Sequence, residues 1–443
     1  MSVSTKLQRI AELAKEHPER AFTNLAHYID LDFLREAFGL TRKDGAPGVD
    51  GVTGEEYEKN LEVNLQSLLD RFKSGRYRAP DVRRVHIPKG KGKTRPLGIP
   101  TFEDKVLQRA VAMILEAVYE QDFLPCSYGF RPGRSAHQAL SEARSTLMRM
   151  NGGWVVEADI KDCFGAFDHA WMRKILDRRI RDGVLIRTIG KWLNAGIMED
   201  GQRTKPTKGT PQGGVISPLL ANIFLHEVLD AWFHRYAKPL IGGRAELVRY
   251  ADDFVILCDR EADAERFYRG IFPRFEKFGL ILHPEKTKLV PFKRPPRGGP
   301  NESESWDFLG FTHYWSKTMK GTWAIFQKTM ASRLSRCLND VAAWCRGHRH
   351  LPVQVQHQIL SRKLRGHCAY YGITGNSAAL QQFRTGMRSV WRKWLRRRSR
   401  AASAKSWEWW SRFFERYNLP PARAIHSSIP PRSETMSLRS RMR

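Results

Sequence analysis

The sequence predicts an α+β protein in which antiparallel hairpins lie between helical N-terminal and C-terminal regions. Three observations support this fold class. Residues 1 to about 75 are predicted to be helical, with an interruption at the Gly-rich segment Asp44–Gly51. Residues 83–99 and 247–258 each contain two short β-prone runs separated by turn or linker residues. After Lys320 the chain is predicted to be helical, aromatic and strongly basic.

The remaining elements follow from local pattern. Leu31–Leu40 is predicted to be a short helix, and residues 104–121 a core helix whose first turn Asp104 could cap. The apolar run Trp154–Ile160 is predicted to be a strand. The Pro- and Gly-rich stretch Pro291–Ser305 is predicted to be a loop near the end of a globular unit.

Length and charge limit the kind of protein. With 443 residues the chain exceeds what one hydrophobic core usually supports, so we expect two or three domains. Lys and Arg number 75 against 46 Asp and Glu, a net charge of +29. Such an excess indicates a polyanionic partner, and nucleic acid explains it better than a generally basic surface.

The six cysteines are scattered and include no CxxC pair, which argues against a disulfide framework or a zinc finger and favours a reducing cytosol. Cys345, His348 and His350 lie close enough in sequence to raise the question of a metal site, but ordinary surface residues are the preferred interpretation. No run of about 18 apolar residues occurs, so no membrane-spanning helix is expected.

Paired carboxylates in the sequence are candidate ligands for a catalytic metal site. Asp252 and Asp253 lie at the tip of the predicted hairpin 247–258, and Asp159 ends the predicted strand before them. Phosphoryl transfer to a primer hydroxyl uses two divalent ions about 3.5–4 Å apart, and carboxylates are the ligands that Mg²⁺ prefers. Because Asp is also a favoured turn residue, the dipeptide alone is weak evidence of catalysis.

Ordered motifs from about residue 30 past residue 376 resemble the reverse transcriptases, in particular the group II intron-encoded reverse transcriptase/maturases of the bacterial type without a C-terminal endonuclease. The segments that carry the resemblance are Ser127–Leu140, Ala158–His169, Thr207–His226, Tyr250–Asp253, Gly279–Val290, Trp306–Phe311 and Lys363–Asn376.

The resemblance implies a right-hand polymerase with fingers, an antiparallel palm sheet flanked by helices, and an α-helical thumb/maturase domain. The implied divisions are an N-terminal extension and start of the fingers at 1–75, fingers and palm at 76–315, thumb/maturase at 316–420, and a flexible basic tail at 421–443. The implied partners are group II intron RNA as template, a DNA primer or target, and dNTPs. The implied location is the bacterial cytoplasm, and the oligomeric state stays open.

By the same resemblance, Asp159, Asp252 and Asp253 bind two Mg²⁺ ions and are catalytic. Asp162 and Asp168 compete for the first of these roles, but Asp159 directly ends the strand and Asp168 fits better as a helix N-cap. Lys286 is implied to be catalytic as a proton donor to departing pyrophosphate.

Four further residues are implied to bind the nucleotide. Lys89 and Arg95 match basic positions that meet the triphosphate; Arg83 could assist or contact template. Phe164 is implied to lie under the incoming sugar, where its ring would clash with a 2′-hydroxyl; the alternative is ordinary core packing. Gln212 lies in a Gly-rich loop that positions template and nucleotide, although a plain loop before a core helix describes the same residues.

The implied contacts with intron RNA lie on basic, aromatic helices. Trp391 and Trp394 lie among these basic residues, and their rings could contact RNA or pack the thumb. The residues implied to bind RNA are Arg365, Tyr370, Tyr371, Arg392, Lys393, Arg396 and Arg397.

The implied function is synthesis of cDNA together with RNA binding that assists splicing and mobility. One alternative is an RNA-binding splicing cofactor with an idle polymerase. Another is a domesticated reverse transcriptase of a defence or CRISPR-associated system, which the maturase-like region disfavours.

Overall fold

The computed structural model describes residues 2–426 apart from 91–92, 200, 205–207, 210–212, 298 and 300–302, and apart from the side chains of 89, 90 and 93. The described residues form two compact units. The first unit combines the chain up to residue 139 with residues 156–289, and the second combines residues 140–155 with the chain from residue 290 onward.

The structure confirms the predicted mixture of helices and antiparallel strands. The α-helices are α1 (Val3–Glu16), α2 (Leu31–Gly39), α3 (Gly54–Glu58), α4 (Leu61–Lys73), α5 (Phe102–Tyr119), α6 (Ala136–Met150), α7 (Cys163–Ala166), α8 (His169–Leu176), α9 (Gly183–Leu193), α10 (Ser217–Leu225), α11 (Glu261–Glu276), α12 (Ala331–Gly347), α13 (Val353–Tyr371), α14 (Ser377–Arg396), α15 (Arg400–Ser403) and α16 (Trp407–Arg416). Two π-helical segments, His226–Asp230 and Phe233–Ala237, follow α10.

Within the described residues the strands form three sheets. They are β1 (Val82–Gly90), β2 (Lys93–Ile99), β3 (Gly152–Asp159), β4 (Ile197–Glu199), β5 (Gln202–Thr204), β6 (Ala245–Tyr250), β7 (Asp253–Cys258), β8 (Lys288–Lys293), β9 (Trp306–Phe308), β10 (Phe311–Lys317) and β11 (Trp323–Thr329). The sheet orders are β2-β1-β4-β5, β6-β7-β3-β8 and β11-β10-β9. Strands β3 and β8 are each divided between the two units.

Helix α5 is the central helix of the first unit and confirms the predicted core helix. Val106, Ala110 and Ile114 are fully buried on it, and α1 and α2 pack against it. Thr101 caps its N-terminus, so the predicted capping role of Asp104 is wrong. The reason is that the Asp104 carboxylate is buried and accepts hydrogen bonds from side chains packed against it, and burial raises its pKa to about 6.

The second unit contains the sheet β9–β11 and a helical core. Buried residues that recur at helical spacing on α12, α13, α14 and α16 pack together, among them Leu334, Leu364, Met387 and Trp391. The part of the chain that the structure describes contains no helix that is both long and apolar enough to cross a membrane.

Two predicted boundaries in the second unit are wrong. The segment after Lys320 forms strand β11 before α12 begins, because Ile325, Gln327 and Thr329 alternate inward with a period of two rather than of 3.6. The predicted loop Pro291–Ser305 begins only after Lys293, because β8 continues through the buried Phe292.

The predicted tail is held at its start. The backbone amides of Ile425 and His426 donate to the carbonyl of Gly372, and the amide of Thr374 donates to the carbonyl of His426. Residues 421–426 therefore join the second unit. Residues 427–443 lie outside the described part of the chain.

Candidate active site

The strands β6 and β7 form the predicted hairpin with an acidic tip, here called the acidic hairpin (residues 245–258). Tyr250 pairs with Asp253, so the turn consists of two residues, Ala251 and Asp252, and Asp253 begins β7. Ala251 has a left-handed φ of +57°, a conformation that costs a residue with a side chain about 1–2 kcal/mol. The buried strand residues on either side hold this turn in place.

Asp159 lies at the end of β3, which is the neighbour of β7 in the sheet. The side chain of Asp253 is exposed, yet protein atoms around the carboxylate displace part of its hydration. This loss of hydration, followed by the negative charges of Asp252 and Asp159, raises the pKa of Asp253 to about 7. The three predicted aspartates therefore lie within strong electrostatic range of one another.

Lys286 joins the same cluster. Its Nζ donates to Oδ2 of Asp159 at 2.5 Å. The segment before it is tied to the end of β3, because the amide of His283 donates to the carbonyl of Asp159 and the amide of Lys161 donates to the carbonyl of Ile281. The ammonium group of Lys286 offsets the charge of Asp159, whereas reduced hydration and the charges of Asp252 and Asp159 raise the pKa of Asp253.

The donor set suits a cation, although it does not form a closed cage. Among the described residues no three His, Cys, Asp or Glu side chains converge closely enough to enclose a metal ion. Mg²⁺ is usually held by one or two carboxylates together with waters and substrate phosphates, so an open site is what a nucleotide-bound Mg²⁺ needs. Asp159, Asp252 and Asp253 could supply the protein's share.

The helix α7 follows Asp159 closely and carries Phe164. The Phe164 ring is half-buried and meets Phe167 edge to face, with centroids 6.3 Å apart. Burial, and then the charge of Asp252, raise the pKa of the neighbouring Cys163 thiol, so α7 lies near the acidic turn. Phe164 therefore packs against Phe167, and its helix lies near the turn that bears Asp252.

The two competing acids are placed differently. Asp168 caps α8, with Oδ1 accepting the amide of Trp171 at 2.9 Å, which confirms the predicted N-cap. Asp162 is exposed and precedes α7 with a left-handed φ of +47°.

The strands β1 and β2 form the predicted basic hairpin (residues 82–99). Arg95 is exposed on β2 opposite Ile87. Arg83 pairs with Ile99 at the other end, and its Nε is buried. Lys89 belongs to β1, but its side chain lies outside the described part of the chain, as does Gln212 altogether.

The residues predicted to bind RNA fall into two groups. Arg365, Lys393, Arg396 and Arg397 are exposed, and Arg392 is half-buried. Tyr370 and Tyr371 are engaged inside the second unit. The Tyr370 hydroxyl donates to the carbonyl of Leu309 at 2.8 Å, and the Tyr371 ring packs 5.2 Å from that of Phe311.

The tryptophans of the basic helices also fall into two groups, one fully buried and one half-buried. Trp391 is fully buried and donates from Nε1 to Oε1 of Gln356 at 2.8 Å, so it packs the core. Trp394 is half-buried beneath Arg397. Of the residues that raised the question of a metal site, Cys345 is buried in the helical core, so its interpretation as a surface residue is wrong. The His348 ring stacks on the indole of Trp344.

Sequence reasoning missed one exposed aromatic residue of interest. Trp407, at the start of α16, is 70% exposed, and the guanidinium of Arg392 lies 5.3 Å from its ring centroid. Its spacing places it on the same helix face as the buried Trp410 and Phe414, so periodicity alone predicts burial. No sequence signal distinguishes it from them.

Comparison with known proteins shows which family the chain resembles. Residues 87–313 match the family model described as reverse transcriptase (RNA-dependent DNA polymerase). Protein YkfC of Escherichia coli strain K12 is 35% identical over 347 residues, which cover 70% of this chain and 88% of YkfC.

Two other relatives have names that refer to introns. The group II intron-encoded protein LtrA of Lactococcus lactis subsp. cremoris is 40% identical over 226 residues, which cover 50% of this chain and 37% of LtrA. Nuclear intron maturase 2 of Arabidopsis thaliana is 26% identical over 233 residues, which cover 44% of this chain and 30% of that protein. The chain thus spans most of YkfC but only about a third of these two relatives. It belongs to the reverse transcriptase family and is an RNA-directed DNA polymerase.

Proposed function

We propose that the chain synthesises DNA on an RNA template by two-metal-ion nucleotidyl transfer, with Asp159, Asp252 and Asp253 as the metal ligands. The observation that carries the proposal is the placement of the three carboxylates: Asp252 and Asp253 lie at the turn of the acidic hairpin, and Asp159 ends β3, the strand beside β7. The charges of Asp252 and Asp159 contribute, after reduced hydration, to the raised pKa of Asp253. Carboxylates held together against their mutual repulsion are a common feature of cation sites that act in phosphoryl transfer.

Bound Mg²⁺ would activate the primer 3′-hydroxyl and offset charge on the leaving pyrophosphate. The aspartates supply ligand oxygens. The exposed Lys286 is held beside them by its ion pair with Asp159, and its Nζ is the proposed proton donor to pyrophosphate. Arg95 and Lys89 of the basic hairpin bind the triphosphate, and Gln212 positions the template-paired nucleotide.

Primer extension on poly(rA)/oligo(dT) with Mg²⁺ tests the catalytic role. Asp252→Ala is expected to abolish dNTP incorporation, because it removes a ligand oxygen from the acidic turn. Asp162→Ala is the matched control, since this exposed aspartate lies in the same motif as Asp159 and is not assigned to the metal. Equal incorporation by the parent and Asp252→Ala would exclude the assignment.

We propose that Phe164 excludes ribonucleotides, since an aromatic ring beneath the sugar leaves no room for a 2′-hydroxyl. Phe164→Val is expected to raise the ratio of rNTP to dNTP incorporation while dNTP use continues. An unchanged ratio would mean that the ring serves only to pack against Phe167.

We propose as a second activity that the second unit binds intron RNA and assists splicing. Between residues 377 and 426 the only acidic residues in the sequence are Glu408 and Glu415, among many Lys and Arg. Lys393, Arg396 and Arg397 are exposed there and can neutralise phosphates. The exposed Trp407 adds a surface on which an unpaired base can stack.

The phosphate-neutralising and base-stacking contributions to RNA binding can be measured separately. Lys393→Ala is expected to reduce the dependence of RNA affinity on salt concentration, because one phosphate contact is lost. Trp407→Ala is expected to weaken binding to looped RNA more than to duplex RNA. Tyr236→Ala, an exposed aromatic residue of the first unit, is the control.

Splicing is tested by the Mg²⁺ concentration needed to excise the intron that flanks the coding sequence. The protein is expected to lower that concentration, and Trp407→Ala to lower it less. A protein that changes excision of no neighbouring intron would lack the maturase activity. It would then fit a domesticated reverse transcriptase.

A further inference from the structure

A fully buried arginine lies directly before the acidic turn. Arg249 is the penultimate residue of β6, and its side chain has no access to solvent. Its Nε and one terminal nitrogen donate to the two carboxylate oxygens of Asp230 at 2.7 and 2.6 Å. Its other terminal nitrogen donates to the carbonyl of Ala251 at 3.1 Å and to Oδ1 of Asn222 at 2.9 Å. The guanidinium therefore contacts the backbone of the turn itself.

A second set of contacts supports the same turn from Cys126–Gly129. The amide of Tyr128 donates to the carbonyl of Arg249, and the amide of Arg249 donates to the carbonyl of Cys126, both at 2.8 Å. Asn222 donates from Nδ2 to the carbonyl of Gly129 at 2.7 Å. A methyl group on Gly129 would lie 2.3 Å from the amide nitrogen of Ala251, so the two backbones touch.

Stability alone does not explain the ion pair between Arg249 and Asp230. Although burial opposes ionisation, the guanidinium keeps the pKa of Asp230 below its usual value, so both groups are charged. Taking two charges out of water costs as much as their attraction returns, and apolar residues of similar size are often as stable. What an apolar pair could not supply is a directed donor at the carbonyl of Ala251.

We propose that Arg249 is a positioning residue that fixes the acidic turn, with Asp230 and Asn222 orienting its guanidinium. Ala251 adopts a left-handed conformation, and the hydrogen bond to its carbonyl holds the peptide that precedes Asp252. The inference rests on the proposed role of Asp252 and Asp253 as metal ligands. Arg249 does not touch substrate or metal; it limits the directions in which the two carboxylates can point.

The test compares Arg249→Lys with a matched control, Arg179→Lys. Arg179 is also a buried arginine of the first unit, paired with Asp122 and bonded to three backbone carbonyls, but it has no contact with the acidic turn among its hydrogen bonds. Both changes keep the charge and lose the planar fork, so both cost stability. The full chain of each variant is titrated with Mn²⁺ alone, and free Mn²⁺ is followed by electron paramagnetic resonance.

Arg249→Lys is expected to weaken Mn²⁺ binding by about tenfold or more, as loss of a residue that orients a ligand does, and to lower kcat with little change in KM for template-primer. Arg179→Lys is expected to keep the parent's Mn²⁺ affinity at a comparable loss of thermal stability. Parent-like Mn²⁺ affinity and kcat in folded Arg249→Lys would overturn the inference.

If Arg249→Lys does not fold, Asn222→Ala decides the question. This change removes an acceptor of the guanidinium and the bond to Gly129, and the same reduction in Mn²⁺ affinity is expected, with parent-like affinity again overturning the inference. Asp252→Asn distinguishes failure of the proposed metal site from failure of the proposed positioning role. If the parent binds Mn²⁺ no better than Asp252→Asn, the proposed metal site fails; if it binds better and Arg249→Lys matches the parent, only the positioning role fails.

Discussion

Replacing Asp253 with Asn should stabilise the metal-free protein at neutral and alkaline pH while removing polymerase activity. Reduced hydration and the charges of Asp252 and Asp159 raise the pKa of Asp253 from 3.8 to about 7. Between these values the unfolded chain ionises this carboxyl while the folded chain keeps it protonated. The folded state therefore loses stability as pH rises from about 4 to about 7.

The size of the effect has an upper limit. A shift of about three pKa units corresponds to about 4 kcal/mol if the group were fully shielded from water. Because the Asp253 side chain is exposed, solvent screening reduces the expected gain to about 1–2 kcal/mol. Asparagine has nearly the shape of the protonated acid and no charge, so Asp253→Asn should show this gain at pH 8 and about a third of it at pH 5.

Urea unfolding in EDTA, followed by tryptophan fluorescence at pH 5 and pH 8, measures the difference. Mg²⁺ should then raise the unfolding midpoint of the parent and leave that of Asp253→Asn nearly unchanged, since the cation replaces the lost proton as the compensating charge. An Asp253→Asn protein that is less stable than the parent at pH 8 without metal would refute the electrostatic reasoning.

Three further predictions concern a close backbone contact, a buried tryptophan and a buried histidine. Gly129→Ala should lower the free energy of unfolding by about 1–3 kcal/mol and lower kcat, because its methyl meets the backbone of the acidic turn. Gly190→Ala, whose methyl would face open space on a helix, should raise the free energy of unfolding by about 0.5–1 kcal/mol. Thermal unfolding and primer extension measure both variants. Trp391→Phe should lower the free energy of unfolding by about 1–3 kcal/mol, because a buried hydrogen bond is lost. Unlike Trp407→Ala, it should leave RNA affinity unchanged. Equal loss of RNA affinity in the two variants would contradict the assignment of Trp391 to packing and Trp407 to RNA. Burial lowers the pKa of His313 from 6.5 to about 3, a shift that corresponds to about 5 kcal/mol of folding free energy, lost as pH falls from 6.5 to about 3. About 2–3 kcal/mol of it is lost by pH 4.5. His313→Gln should therefore show a shallower decline in the unfolding midpoint between pH 6.5 and 4.5, and an equal decline would contradict this prediction.

Sequence patterns predicted the elements of the site well because those elements are local. The acidic hairpin, the basic hairpin and the strand that ends at Asp159 are each specified by apolar runs and turn residues within a few positions. The N-cap at Asp168 was equally predictable, because an N-cap depends on residues two or three positions away. The assigned roles of the individual site residues stay predictions.

Features that depend on distant partners were not predictable. Asp104 has the residue type of a cap, but Tyr77 and Trp192, far away in sequence, hydrogen-bond its carboxylate in the interior. Strand β11 lies in a stretch that composition alone predicts to be helical, and its pairing with β10 decides its conformation. The predicted domain boundaries stay predictions, since compact units need not follow the order of the chain.

The arrangement around Arg249 suggests why the motifs occur in separate parts of the sequence. The turn that bears Asp252 is a two-residue loop with one residue in a left-handed conformation, and such a loop has few contacts of its own to fix it. Its support comes from Gly129 on one side and from Asn222 through the guanidinium on the other. A change at Gly129 or at Asn222 would therefore alter the positions of the carboxylates without contacting them. Residues with no catalytic role should thus be as restricted in type as the aspartates, glycine at 129 because of space and asparagine at 222 because it must both donate and accept.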